Sequence, residues 1–343
     1  MKTNRITENR ITKILGIRYP IVQGPMSWLT DARFVAAVSN AGGLGILGPH
    51  AGLMKSAKTR HDIIEAMRNE IRKTKALTDK PFSMPVIVSH DFSLIGDMVD
   101  LIIEEALPIA FINGIDGFDY APMMAKFKAA GVKILFRSAT PTVGNARHAE
   151  QLGVDVLVAT GFDEGGTVPE RVIGTFSIVP QIVDAVDIPV MAAGGIADVR
   201  GVRASFALGA EGVFAGSVFL PTIENRTAEN VKQMIVNSSA QDLLLYRTQP
   251  AYYRSLPTAL AHKLVEMDAQ GASRDELLAA SKGGYGMRVA MLEGRVDEGY
   301  ISVGNGISYI HEIRSVKDVV EDLMQDFVVI EKNAYHDAAA NAA

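Results

Sequence analysis

Residues 188–219 read Ile188-Pro-Val-Met-Ala-Ala-Gly-Gly-Ile-Ala-Asp198, then the amphipathic stretch Val199–Leu208, then Gly209-Ala-Glu-Gly-Val-Phe-Ala-Gly-Ser-Val-Phe219. Two short, nearly continuous apolar runs bracket one segment of helical period. Such runs suit strands covered on both faces, and strand–helix–strand in this order is the unit of a parallel sheet.

The same rhythm extends back to residue 19. Six further runs read as strands: Tyr19–Gln23, Leu44–Leu47, Ser83–Ser89, Pro108–Ile112, Lys133–Arg137 and Asp155–Thr160; Ile188–Ala193 and Gly212–Phe219 complete eight. Between them lie amphipathic stretches at Asp31–Asn40, Arg60–Lys75, Ile95–Glu105, Ala121–Ala130, Val143–Leu152 and Ser177–Val186. Eight alternations in this length predict an α/β fold of the closed (β/α)₈ TIM-barrel type. An open doubly wound sheet would carry a G-x-G-x-x-G after its first strand, and none follows Tyr19–Gln23.

From about residue 226 to 299 the rhythm breaks. A polar stretch with Tyr246, Arg247, Tyr252, Tyr253 and Arg254 leads into helical segments near Ala259–Ala269 and Ser273–Ser281, read as a small C-terminal helical addition and a possible substrate-side cap. The barrel then comprises 11–225 and 300–335, closed by a last helix, Val316–Lys332.

The 343 residues are 48% apolar and 21% charged, which excludes a disordered chain. With 34 Lys and Arg against 39 Asp and Glu and no basic stretch interleaved with aromatics, no nucleic-acid partner is expected. There is no cysteine, so disulfides, thiolate metal sites and cysteine nucleophiles are excluded, and no His/Asp/Glu grouping has metal-ligand spacing. No run of about 18 apolar residues occurs, so no membrane span is expected. The polar N-terminal stretch lacks a signal peptide's apolar region, and the expected compartment is the cytoplasm.

A TIM barrel builds its active site at the carboxyl ends of its strands and seats phosphate at the loops after strands seven and eight. Gly194 and Gly195 follow the seventh strand; Gly216 and Ser217 lie in the eighth. Glycine lets backbone N–H groups approach an anion, and the serine adds a hydroxyl. The bland reading is a pair of tight βα turns. Gly165-Gly166 after the sixth strand offers another open loop, and Gln23-Gly-Pro-Met-Ser-Trp28 brings Met26 and the single Trp28, which suit an apolar ring or merely cap the core. His90 after the third strand and His50 after the second fall on the same rim, each with a structural role as its plain alternative. Asp163 and Glu164 would act as bases only if desolvated, and Asn113 could hydrogen-bond substrate.

Tyr19-Pro-Ile-Val-Gln-Gly-Pro-Met26, Asn40-Ala-Gly-Gly-Leu-Gly-Ile-Leu-Gly48, Leu77-Thr-Asp-Lys-Pro-Phe82, Glu164-Gly-Gly166, Ala192-Ala-Gly-Gly-Ile-Ala-Asp198, Leu208-Gly-Ala-Glu-Gly-Val213 and Ala215-Gly-Ser-Val-Phe219 together resemble the nitronate monooxygenase (2-nitropropane dioxygenase) family. That family includes NAD(P)H:quinone reductases and flavin-dependent enoyl-acyl-carrier-protein reductases. The resemblance runs over residues 11–235 and returns at Val303-Gly-Asn-Gly-Ile307.

It implies an FMN-binding barrel enzyme. The flavin ring would lie against Gly24, Pro25, Met26 and Ser27, near Gly165 and Gly166, with Arg137 and Thr160 at neighbouring strand ends. Its phosphate would be held by Ala193, Gly194, Gly195, Gly216 and Ser217, and Asn305 takes the place of a family Gln. Two positions depart from the pattern: Thr167 stands where the family has its acid/base histidine, and Pro85 where it has an asparagine. His90 and Thr167 are the catalytic candidates. The implied reaction is oxidation of a nitronate or similar small substrate with O₂; the alternatives are NAD(P)H-driven reduction of a quinone or enone, and an FMN-binding protein without the family's catalysis. A homodimer is a further expectation.

Overall fold

The computed structural model describes residues 9–88, 93–248, 251–282 and 285–327. Its strands are β1 (Ile21–Gln23), β2 (Gly45–Ile46), β3 (Phe82–Ile87), β4 (Ile109–Gly114), β5 (Lys133–Ser138), β6 (Val156–Thr160), β7 (Gly166–Val168), β8 (Val190–Ala193), β9 (Gly212–Ala215), β10 (Leu244–Arg247), β11 (Tyr252–Leu256) and β12 (Ile301–Ser302). Eight of them form one parallel sheet in the order β1-β9-β8-β6-β5-β4-β3-β2. The Val22–Leu44 bridge closes the ends, with Gln23 N donating to Leu44 O at 2.9 Å and Leu44 N to Ile21 O at 2.9 Å. The result is the (β/α)₈ barrel, in which β8 and β9 are the seventh and eighth staves.

Every residue of β6, β8 and β9 is buried, because one face meets the lumen and the other the helices. Val22, Ile46, Phe111, Leu135, Val158, Met191 and Phe214 pack the lumen, and Ile11 and Leu15 of the helix Arg10–Leu15 join them. The Phe111 and Phe214 rings stack 5.4 Å apart. The outer helices start where side chains can satisfy their first amides: Asp31 accepts from Phe34 N, Thr59 from Asp62 N, and Asp198 from Gly201 N.

The addition carries helices Ala259–Ala269 and Arg274–Ala280. Ahead of them, the stretch left unassigned from sequence forms a hairpin. β10 pairs antiparallel with β11, which also pairs with β12 and with β7 of the loop after β6. Its runs Leu244-Leu-Tyr-Arg247 and Tyr252-Tyr-Arg-Ser-Leu256 carry tyrosines that favour strands but no clean two-residue alternation, so the periodic signal is weak. The last helix runs Val316–Leu323 and stops there, with Met324 as its cap and residues 324–327 non-helical, shorter than the Val316–Lys332 span expected from sequence; residues 328–332 lie outside the described residues. Among the described residues, no helix is long and apolar enough to cross a membrane.

Candidate active site

The carboxyl ends of the staves surround one cavity of about 390 Å³, a volume typical of cofactor and ligand sites. Gly24, Pro25, Met26 and Ser27 form its β1 side; Gly165, Gly166 and Thr167 its β6–β7 side; Ala193, Gly194, Gly195, Gly216 and Ser217 its β8–β9 side. Asn113 and Arg137 line it as well.

The β1 loop is set by the buried Gln23, whose amide donates to Gly24 O and accepts from Ile46 N at 3.0 Å. Gly24 N donates to Ala215 O at 2.9 Å, tying the loop to β9. A Cβ on Gly24 would stand 2.6 Å from Phe214 Cε1, so only glycine lets this loop rest on the top ring of the lumen.

Ala193 and Phe214 are register partners, so the turns that follow lie side by side. Gly194 and Gly195 have φ of +105° and +73°, backbone that other residues rarely adopt. The N–H groups of Gly194, Gly195, Gly216 and Ser217 donate to no acceptor among the described residues. A Cβ on Gly216 would meet no protein atom within 4 Å, so the space beside this backbone is open. Ser217 Oγ accepts from Gly304 N at 2.9 Å, which leaves the hydroxyl hydrogen for another acceptor. Free amides, open approach and a spare hydroxyl fit a phosphate group.

Arg137 reaches in from the end of β5. Its Nε donates to Thr160 Oγ1 at 3.0 Å, Nη1 to Asn113 Oδ1 at 2.9 Å, and Nη2 to Glu164 Oε1 at 2.6 Å. Burial pushes the Glu164 carboxyl up to about 7, against the downward pull of Arg137 and Arg254. The cavity thus holds one carboxyl that exchanges its proton near neutrality. Arg254, itself buried, donates to Phe162 O at 2.6 Å and to Glu164 O, clamping the loop from β11. The sequence reading gave Arg254 no such role; an arginine inside the tyrosine-rich β11 run was its only signal.

Thr160 and Asn305 stand outside the lining. Thr160 supports Arg137, and the Asn305 amide donates to Asp163 Oδ1 at 2.9 Å while Gly306 faces the cavity. Asp163 Oδ2 also accepts from Thr175 N at 2.8 Å, so Asp163 braces the loop rather than lining the cavity. Thr167 is exposed on β7, opposite Tyr253 of β11. His90 lies outside the described residues. Pro85 sits inside β3 and lines a separate apolar cavity. His50 lines that apolar cavity too.

A further cavity of about 410 Å³ adjoins the first and shares Ser27, Thr167, Tyr253 and Met287 with it. Its other walls include Trp28, His50, Tyr246, Tyr285 and Tyr300. Burial holds the Tyr253 hydroxyl well above its ordinary range, so it stays protonated, bonded to Ser302 Oγ.

A family model described as Nitronate monooxygenase matches residues 8–326. The (3aS,4S,5R,7aS)-5-hydroxy-7a-methyl-1-oxo-octahydro-1H-indene-4-carboxyl-CoA dehydrogenase of Rhodococcus jostii is 30% identical, covering 93% of this chain and 95% of that protein. A probable nitronate monooxygenase of Staphylococcus aureus is 32% identical over 77% of this chain and 81% of its own. The structure of FabK from Thermotoga maritima superposes with a TM-score of 0.80 at 32% identity, covering 97% of this chain and 99% of that one.

Proposed function

Because the chain belongs to the nitronate monooxygenase family, we propose that it is an FMN-dependent oxidoreductase acting on a conjugated carbonyl compound rather than on a small nitronate. The observation that carries this reading is the aromatic-walled cavity of about 410 Å³ beside the cradle, far larger than a short nitroalkane needs. The dehydrogenase from Rhodococcus, named for a bicyclic acyl-CoA, agrees with it.

FMN, when bound, supplies the electron-accepting and electron-donating chemistry. The amides of Gly194, Gly195, Gly216 and Ser217 would take the phosphate, and Pro25 and Met26 would offer an apolar shelf for the ring with Ser27 beside them. Arg137, fixed by Thr160, Asn113 and Glu164, keeps a positive charge in the wall where negative charge would otherwise be costly. Glu164 holds or releases a proton near pH 7. Thr167 contributes a hydroxyl that does not titrate in that range, so proton traffic depends on Glu164 and solvent.

Visible absorbance of the purified protein tests the first step: flavin bands are expected, and a colourless protein that FMN cannot reconstitute overturns the proposal. Anaerobic mixing tests the second. Bleaching by NADH and recovery of colour on adding an enone are expected; rapid turnover of propyl-2-nitronate with inert enones favours the nitronate reading, supported by the Staphylococcus relative.

A further inference from the structure

Trp28 and His50 are two of only four non-glycine residues with positive φ among the described residues, at +71° and +60°. The other two, Ala106 and Lys282, close helix ends. Left-handed backbone at a tryptophan or histidine costs on the order of 1–2 kcal/mol each and persists only where its surroundings enforce it. They are enforced here: Trp28 N donates to Pro49 O at 2.8 Å, and Arg226 donates to Trp28 O at 3.0 Å and Leu53 O at 3.2 Å. The two rings stack, with centroids 4.2 Å apart and planes 16° from parallel, and the Arg288 guanidinium lies over Trp28 at 5.7 Å.

The strain holds an imidazole in the wall between the aromatic cavity and a smaller apolar one of about 220 Å³. Its Nδ1 is buried with no hydrogen-bond partner. A structural histidine would be bonded; a buried N–H with no acceptor is rarer and costlier than an unused lone pair. Nδ1 therefore carries the lone pair and the hydrogen sits on Nε2, the ring nitrogen that is not among the buried unpartnered atoms. Burial lowers the ring's affinity for a second proton, so it stays neutral. The wall thus presents a fixed imidazole donor beside Trp28, in a cavity also lined by the hydroxyls of Ser56, Thr248, Ser281 and tyrosines.

We propose that His50 is the specificity-determining residue of the second cavity, its Nε2–H donating to the carbonyl oxygen of an apolar cyclic ketone whose ring lies between Trp28 and the tyrosine wall. The inference deepens the proposed function, since it rests on the substrate occupying that cavity. An alkene of the same shape without the oxygen would leave Nε2–H buried and unpaired, so discrimination arises from the missing acceptor.

Trp28 is the only tryptophan of the chain, so its emission reads this site alone. The protein as purified is titrated with carvone, a cyclic enone, and with limonene, its carbonyl-free counterpart, following that emission. Carvone should bind saturably and about tenfold or more tighter, the worth of one hydrogen bond. His50→Asn tolerates left-handed backbone but its amide stops short of the Nε2 position, so the preference should vanish; His50→Gln regains the reach and should restore most of it. Melting curves of both variants check the fold. Equal binding of the two probes, no saturable change with carvone, or an undiminished preference in His50→Asn overturns the proposal. Visible absorbance is recorded on the same samples: a colourless protein that keeps the preference defeats the flavin reading alone, and a yellow one without it defeats the His50 assignment alone.

Discussion

Replacing Gly216 separates binding of the phosphate from stability of the barrel. An added Cβ meets no protein atom within 4 Å, and φ is −120°, outside the left-handed region that favours glycine. The flavin-free protein should therefore melt as the wild type does, with a stability change within about 0.5 kcal/mol. The new atoms instead occupy the space from which an anion would meet the amides of Gly216, Ser217, Gly194 and Gly195. A hydrogen bond to a charged group contributes about 1.5–3 kcal/mol, so losing two weakens binding by about 3–6 kcal/mol, or at least a hundredfold. Gly216→Val should show that loss in a titration of the flavin-free protein with FMN, followed by flavin fluorescence; Gly216→Ala, with one carbon, should lose about tenfold. Gly194 would be a poorer choice. Its φ is +105°, and a Cβ there would lie 2.7 Å from Thr175 Oγ1 and 2.9 Å from Gly161 O, so a substitution disturbs the loop itself. FMN affinity within threefold of wild type in Gly216→Val would refute the cradle.

Two further substitutions probe the wall and the floor of the same cavity. Burial raises the Glu164 carboxyl from 4.5 to about 7. The fold therefore favours the protonated form: stability is full below pH 4.5 and declines by on the order of 3 kcal/mol as pH rises through about 7. Glu164→Gln should flatten that decline in thermal melts taken across the range, and parallel profiles for the two proteins would show that Glu164 is not the group responsible. In Gly24→Ala the new methyl meets Phe214 Cε1 at 2.6 Å, an overpacking that costs about 1–3 kcal/mol in urea unfolding. Phe214→Leu should relieve it, so the double variant loses less than the two single losses combined; strict additivity would mean the loop does not rest on that ring.

The barrel was legible because strands buried on both faces leave uninterrupted apolar runs. The seventh and eighth staves fell at Val190–Ala193 and Gly212–Ala215, within the runs read from sequence. The glycine turns were legible for a related reason, since only glycine supplies backbone such as that of Gly194 and Gly195. Side-chain direction was not. Thr160 and Asn305 were expected beside the ligand from their places in a shared pattern, yet one hydroxyl supports Arg137 and one amide is spent on Asp163. The partnership of Arg137 with Glu164 spans 27 residues and depends on how a loop folds back over its own barrel, which no local periodicity encodes. The β10–β11 hairpin escaped because its short runs lack a two-residue alternation and carry arginines that read as solvated chain.

The strand β7 belongs to the loop after β6 but hydrogen-bonds to β11 of the addition, Gly166 opposite Arg254 and Thr167 opposite Tyr253. The segment that roofs the cavity is thereby woven from two distant parts of the chain. Grafting a relative's loop here would strip the hairpin of its seam, and excising the hairpin would leave Gly166–Val168 as a bare edge with unpaired amides. Loop and hairpin must change together, so the roof behaves as one piece.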